Sequence, residues 1–133
     1  MKTKTVLLLL LTCSPLVSTA ANVVEERLQT YKTAGAKNFS AAAGQSLWNR
    51  QFEQPDGSKA RACSSCHTTD LRQAGKQINT GKLIEAMSPA INPQRLTDAE
   101  KIEKWFGRNC KWTMGRECTA QEKGDFLKFI QSQ

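Results

Sequence analysis

Histidine is nearly absent from this 133-residue chain, in which His67 is the only one. Sites that need two or more imidazoles are therefore excluded. Alternating polar and apolar residues, the pattern of a strand, are scarce as well. The longest apolar run, Val6 to Leu11, is too short for a permanent membrane helix. These absences predict a small all-α protein, expected to be soluble, whose chemistry is gathered at one site.

The single histidine closes the motif Cys63-Ser64-Ser65-Cys66-His67. C-x-x-C-H is the attachment signature of c-type haem. Two cysteines one helical turn apart can add to the two vinyl groups of a porphyrin, and the adjacent imidazole then serves as the proximal iron ligand. The motif predicts one covalently attached haem c held by Cys63, Cys66 and His67.

Two other interpretations of the motif stay open. A zinc site would use the same side chains, but it needs a fourth ligand and usually a second close pair. A thioredoxin-like redox pair needs strands and helices that alternate around it, and such a pattern is not evident. Both interpretations are weaker than haem attachment.

The first twenty residues have the pattern of a secretory signal. Two lysines precede the apolar run, and Ser18-Thr19-Ala20 supplies the small residues that a signal peptidase recognises. We expect cleavage near Ala20, a haem domain over 21–133, and a periplasmic address where disulfides can form. Lipid attachment at Cys13 is the alternative, although Thr12 is a poor residue before a lipidated cysteine.

The chain is basic, with a formal net charge of +7. In an exported protein this charge is interpreted as steering toward an acidic redox partner, and nucleic acid is not expected as a partner. An ordinary solvated, lysine-rich surface explains the charge equally well.

Two helices are predicted before the haem motif. The first runs from about Asn22 and ends at Gly35. The second begins near Ser40 and extends to about Phe52. Glycine costs a helix about 1 kcal/mol relative to alanine. Gly44 inside the second helix therefore suggests that another backbone approaches it there, although an incidental glycine is the alternative.

Two further helices are predicted toward the C-terminus. Capping boxes open them at Thr97 to Glu100 and at Thr119 to Glu122. We expect Gly107 to end the first of the two, and we expect a loop over 75–93 to wrap the haem edge. The predicted core positions of these helices are Ala99, Ile102, Trp105, Phe106, Phe126, Leu127, Phe129 and Ile130.

No second histidine is available for the opposite face of the iron. From the residues alone, Met87 and Met114 are the default candidates for the distal ligand, and each could instead line the haem pocket. Cys110 and Cys118 are expected to pair in an oxidising compartment, with two buried free thiols as the alternative.

The segment around these cysteines resembles a known family. Gly107-Arg108-Asn109-Cys110 and Met114-Gly115-Arg116-Glu117-Cys118-Thr119, preceded by Gly81-Lys82, are similar to the sphaeroides haem protein family. Its members are monohaem class I cytochromes c with an asparagine axial ligand and a nearby disulfide. The resemblance implies a class I cytochrome c fold, Asn109 as the distal iron ligand, and a Cys110–Cys118 disulfide.

The resemblance also implies a function. Family members bind oxygen and other small ligands at the reduced iron, and they exchange electrons with a dihaem cytochrome c. An amide oxygen is a hard donor that suits ferric better than ferrous iron, so reduction should loosen Asn109. Without the resemblance, Asn109 would be interpreted as a cap after a helix that ends near Gly107.

Three functions follow in order of preference. The first is electron transfer combined with binding of oxygen, nitric oxide or a similar ligand when Asn109 is displaced. The second is a plain electron carrier with Met87 or Met114 as a permanent ligand. The third is an enzyme that processes oxygen or nitric oxide, which comes last because the chain offers no distal histidine to move protons.

Overall fold

The computed structural model describes residues 20–133 as helices joined by long connections, with one short strand pair. The elements are α1 (Ala20–Thr33), α2 (Ala41–Asn49), α3 (Ser64–His67), β1 (Gly75–Lys76), β2 (Leu83–Ile84), α4 (Ala99–Met114) and α5 (Ala120–Gln131). The predicted all-α class is confirmed. The predicted signal segment lies outside the described residues, except for Ala20, where α1 begins. No helix within 20–133 is long and apolar enough to cross a membrane.

Helices α2 and α5 touch through their backbones. A Cβ placed on Gly44 would overlap the carbonyl oxygen of Asp125, so the predicted close approach at Gly44 is confirmed. Helix α2 ends at Asn49, earlier than predicted, and Phe52 instead pairs with Arg61 in an isolated antiparallel bridge.

Two apolar clusters fill the molecule. The first packs α2 and α5 against the segments around the haem motif, and its buried members are Trp48, Leu71, Cys110, Met114, Cys118, Phe126, Phe129 and Ile130. The second packs α1 against α4 and α5, and its buried members are Val23, Val24, Leu28, Tyr31, Ile102 and Leu127. The predicted core positions on α5 are all buried.

Helix α4 differs from its prediction at both ends. Its N-cap is Asp98, whose side chain accepts a hydrogen bond from the Lys101 amide, whereas the Thr97 hydroxyl donates to the Gln94 carbonyl. The predicted end at Gly107 is wrong, since the helix continues to Met114. A glycine penalty of about 1 kcal/mol is small beside the burial of Cys110 and Met114 in the following turns.

Of the other two predictions for this half of the chain, one is confirmed and one needs correction. The capping box of Thr119 and Glu122 at the start of α5 is confirmed, with both reciprocal bonds present. The predicted loop over 75–93 instead begins with a hairpin, in which Gly75 pairs with Ile84 and Lys76 with Leu83.

A polar network joins α1 to α4 and α5. The Tyr31 hydroxyl donates to Oε1 of Glu103, and Nζ of Lys123 lies 2.7 Å from Oε2 of the same carboxylate. Burial opposes ionisation of Glu103, but the bonds from Lys123 and Tyr31 outweigh it and hold its pKa below the usual value. The network therefore favours the charged form of Glu103.

Gly44 in α2 and Gly107 in α4 make a matched pair of helical glycines for testing the α2–α5 contact. Gly44→Ala should lower the free energy of unfolding by about 1 to 3 kcal/mol, because the added methyl group meets backbone. Gly107→Ala, which meets nothing within 4 Å, should raise it by up to about 1 kcal/mol. Guanidinium unfolding of the two holoproteins measures both effects, and equal effects would contradict the close contact.

The Glu103 network predicts a pH-dependent stability. A carboxylate with a lowered folded pKa stabilises the fold above its unfolded pKa of about 4.3, and the contribution disappears as pH falls through the folded value. Glu103→Gln should therefore destabilise the protein near pH 7, and the difference from the wild type should shrink below about pH 4. The exposed Glu25, changed to Gln, is the control; a difference that grows on acidification would be the opposite of this expectation.

Candidate haem site

The C-x-x-C-H segment forms a single helical turn, α3. Cys63 is its N-cap with helical backbone angles, and the His67 amide donates to the Cys63 carbonyl at 3.0 Å. Residues three apart lie on the same side of a helix, so the Cys63 and Cys66 side chains leave the turn in similar directions. Both cysteines are free and partly exposed. This arrangement fits attachment of a porphyrin edge by two thioethers.

His67 has the properties of a ligand. Its Nδ1 atom is buried and has no hydrogen-bond partner among residues 20–133. Burial lowers the pKa of His67 to about 4, with a further contribution from the charge of Arg95. The imidazole is therefore neutral at physiological pH, which is the form that binds a metal.

The alternative chemistries of the motif find less support. Burial raises the pKa of the Cys63 thiol to about 12, whereas redox-active cysteines have lowered pKa values. In the described part of the chain, no group of three His, Cys, Asp or Glu side chains is arranged to hold a metal ion. A zinc site and a thioredoxin-like pair are accordingly disfavoured.

The β1–β2 hairpin lies directly against the motif. A Cβ placed on Gly75 would overlap the Cys66 carbonyl oxygen and lie 3.0 Å from the Cα of His67. The same hairpin carries two exposed apolar side chains, Ile78 at 52% and Leu83 at 66% exposure. Exposed apolar side chains on a hairpin that contacts the motif fit the flank of a porphyrin ring.

Trp48 is a site residue that sequence reasoning missed. Its indole Nε1 donates to the carbonyl of Thr68 at 2.9 Å, and its ring centroid lies 5.5 Å from that of His67. One feature could have pointed to Trp48, because a buried indole N–H needs a hydrogen-bond partner. Which carbonyl would accept depends on long-range packing and could not be predicted.

Asn109 lies inside α4 with its side chain exposed, so the interpretation of a helix-end cap is wrong. Trp105 and Trp112 precede and follow it by four and three residues, which places them beside it on one helix face. Trp105 is 48% exposed, contrary to its predicted core position, because α4 buries a different side through Ile102 and Cys110.

Trp112 is held in place by Arg61. The guanidinium carbon lies 4.4 Å from the indole centroid, and Nη1 donates to the Trp112 carbonyl at 2.9 Å. This contact ties the face of α4 that carries Asn109 to the strand-like segment just before the haem motif.

Cys110 and Cys118 come together at the α4–α5 turn. Their sulfur atoms lie within bonding distance and their Cα atoms are 5.5 Å apart, as in ordinary disulfides. Arg116 reinforces this turn through two bonds to the Glu122 carboxylate, at 2.7 and 2.8 Å. The turn directly follows the helix segment that bears Asn109.

Both methionine candidates belong to the core around this turn. Met114 is 9% exposed, and its sulfur lies 3.4 Å from the sulfur of Cys118. Met87 is partly buried against the same cluster, and its amide donates to the Leu71 carbonyl at 2.9 Å.

Comparison with known proteins places this site in a family. Residues 34–130 match the family described as "Domain of unknown function (DUF1924)". Cytochrome c'' of Methylophilus methylotrophus is 38% identical over 91 residues, which are 68% of this chain and 62% of that protein. The cytochrome c-type protein SHP of Cereibacter sphaeroides is 37% identical over 105 residues, 77% of this chain and 78% of that protein. The chain belongs to DUF1924 and to the sphaeroides haem protein family.

Solved structures of the same relatives agree with this assignment. Oxidised SHP, described as an oxygen-binding cytochrome c, superposes with a TM-score of 0.74 at 34% identity over 83% of this chain and 96% of its own. Oxidised cytochrome c'' gives 0.73 at 34% identity over 86% and 94%. The fold is therefore an all-α cytochrome c fold, and these relatives imply covalently bound haem c with its iron as the cofactor.

Replacing either motif cysteine tests the attachment. Cys63→Ala and Cys66→Ala should each leave one vinyl group unreacted, because each cysteine forms one thioether. An unreacted vinyl group stays conjugated with the porphyrin, so the alkaline pyridine haemochrome band should move to longer wavelength in both variants. Ser64→Ala is the control between them. Wild-type band positions in both cysteine variants would show that the attachment lies elsewhere.

Proposed function

We propose that this protein is a periplasmic electron-transfer cytochrome with one haem, in which a small ligand takes the iron position that Asn109 leaves on reduction. Cys63 and Cys66 attach the haem, and His67 is its proximal ligand. The haem iron supplies one-electron chemistry and an exchangeable axial position. Oxygen, nitric oxide or a similar diatomic molecule is the proposed ligand.

Two relatives support ligand exchange as the function. SHP is described as an oxygen-binding cytochrome c. A solution structure of the Methylophilus cytochrome c'', which superposes with a TM-score of 0.70, was analysed for the structural basis of haem-ligand detachment. The chain contains no second histidine, so exchange in this protein has to involve another type of side chain.

The observation that carries the assignment is the contrast between Asn109 and the methionines. Asn109 is exposed on its helix face, whereas the sulfur of Met114 is buried against Cys118 and Met87 packs on the same core. An amide oxygen is a hard donor that binds ferric iron better than ferrous iron. Reduction of a haem iron bound here would therefore weaken its bond to Asn109, and oxidation would strengthen it again.

The α4–α5 turn is proposed to return Asn109 to its place. A Cys110–Cys118 disulfide spans a sequence separation of 8 residues, and such a short link stabilises a fold by about 2 to 3 kcal/mol. It fixes the helical turn that directly follows Asn109. The Asn109 side chain can then leave the iron while the backbone of α4 stays in place.

The neighbouring tryptophans are proposed to protect the distal face. Trp105 and Trp112 lie on either side of Asn109 along α4, and Arg61 holds Trp112 by stacking on it. Large indole rings beside the exchangeable position limit the approach of water and of bulky ligands. A diatomic molecule is small enough to pass between them.

The cellular setting completes the proposal. Residues 1–20 direct export, and the mature protein exchanges electrons with a dihaem cytochrome c that presents an acidic surface. The formal net charge of +7 for the whole chain falls to +5 once Lys2 and Lys4 leave with residues 1–20, and it suits such a partner because opposite charges accelerate encounter.

Ligand variants test the assignment in the oxidised holoprotein. Asn109→Ala should change the ferric absorption and electron paramagnetic resonance spectra, because the amide oxygen is removed. Met87→Leu and Met114→Leu should leave both spectra unchanged, since leucine keeps the packing volume at a cost below about 1.5 kcal/mol. If the spectra change only in a methionine variant, Asn109 is not the ligand and the protein is a His/Met electron carrier.

A further inference from the structure

The residue that follows His67 has an unusual backbone conformation. Thr68 has φ 65° and ψ 170°, a combination that in proteins is essentially confined to glycine. A residue with a Cβ in this region costs about 1 to 3 kcal/mol and persists only where its surroundings enforce it. The strained residue is therefore joined directly to His67, the proposed proximal ligand.

Trp48 holds the carbonyl of this strained residue, whose own amide donates to the Ser64 carbonyl at 3.0 Å. Its indole N–H donates to the Thr68 carbonyl at 2.9 Å, and the Thr68 hydroxyl donates to the Asp70 carbonyl at 2.5 Å. The tryptophan is itself fixed, since it is 4% exposed and its ring centroid lies 5.9 Å from Phe129 and 6.3 Å from Phe126 on α5.

The His67 ring lacks the hydrogen bond that usually sets an imidazole's orientation. A metal-bound histidine ordinarily donates its second nitrogen to a carbonyl or carboxylate. Nδ1 of His67 has no such partner within residues 20–133. The Trp48 ring lies against the imidazole instead, with centroids 5.5 Å apart and planes tilted by 48°. Backbone position and ring packing are then what orient the imidazole.

We propose that Trp48 is a positioning residue, which holds the strained Thr68 peptide through its indole N–H and thereby fixes the plane of the His67 imidazole against the haem. The proposal rests on the proposed role of His67 as the proximal ligand. It assigns to α2 a task that packing alone does not need, because a phenylalanine at position 48 would fill most of the same space.

The test compares ferric holoprotein variants by nuclear magnetic resonance of the haem methyl groups, whose shift order reports the orientation of the axial imidazole plane. Trp48→Phe keeps an aromatic ring and removes the N–H, so the methyl shifts should change their order or spread. Val24→Ala is the control: it lowers stability from the second apolar cluster, which does not contain Trp48, and it leaves the bond to Thr68. Its methyl shifts should match the wild type.

A second substitution tests the part played by strain. Glycine adopts the Thr68 conformation without penalty, so Thr68→Gly combined with Trp48→Phe should restore the wild-type methyl pattern. Thr68→Ala in the same background should not restore it, because alanine keeps the Cβ. Wild-type shifts in Trp48→Phe, equal changes in Trp48→Phe and Val24→Ala, or no restoration by glycine would each overturn the proposal.

A separate experiment tests the assignment of His67 as the proximal ligand, on which the role of Trp48 depends. His67 is the only histidine, so labelling histidine with ¹⁵N in the wild-type holoprotein reads its ligation directly through paramagnetically shifted imidazole signals. Their absence would refute His67 as the ligand before any variant is made. Their presence, with unchanged methyl shifts in Trp48→Phe, would refute only the role of Trp48.

Discussion

The backbone contact between α2 and α5 at Gly44 and Asp125 is the constraint from which both sides of the haem site are built. On α2, it places Trp48 one turn later, where the indole donates to the carbonyl of Thr68, the residue that follows His67. On α5, it places Phe126 and Phe129 against Trp48. The same cluster packs against the two cysteines of the α4–α5 turn, so one core supports the proximal and the proposed distal side.

The two sides of the site are held by different contacts. The C-x-x-C-H motif is fixed by a helical turn, by the Trp48 hydrogen bond to the neighbouring Thr68 and by the backbone of β1 at Gly75. The proposed distal ligand, by contrast, is an exposed amide on one helix face. A rigid side and an exchangeable side suit a protein that keeps its cofactor while it changes ligand. Conformational adjustment is expected at the side whose bond is weaker in one redox state.

Much of this arrangement could be predicted from the sequence, for identifiable reasons. The haem motif is contiguous, so its chemistry could be inferred before any fold was known. The capping box at Thr119 was predictable because it depends on local residue types. A glycine inside a helix suggested the close approach at Gly44, but its partner, the Asp125 backbone, is set by tertiary packing. Helix α4 was not predicted correctly, because a local glycine rule at Gly107 competes with burial of Cys110 and Met114 that only the tertiary structure reveals. The exposure of Trp105 was missed for the same reason.

The absorption spectrum of the reduced wild-type holoprotein, with and without carbon monoxide, tests the central claim most directly. If Asn109 leaves the iron on reduction, the ferrous protein has a high-spin spectrum that shifts when carbon monoxide is added. A low-spin ferrous spectrum that is indifferent to carbon monoxide would show a permanent sixth ligand, and it would contradict the proposed exchange.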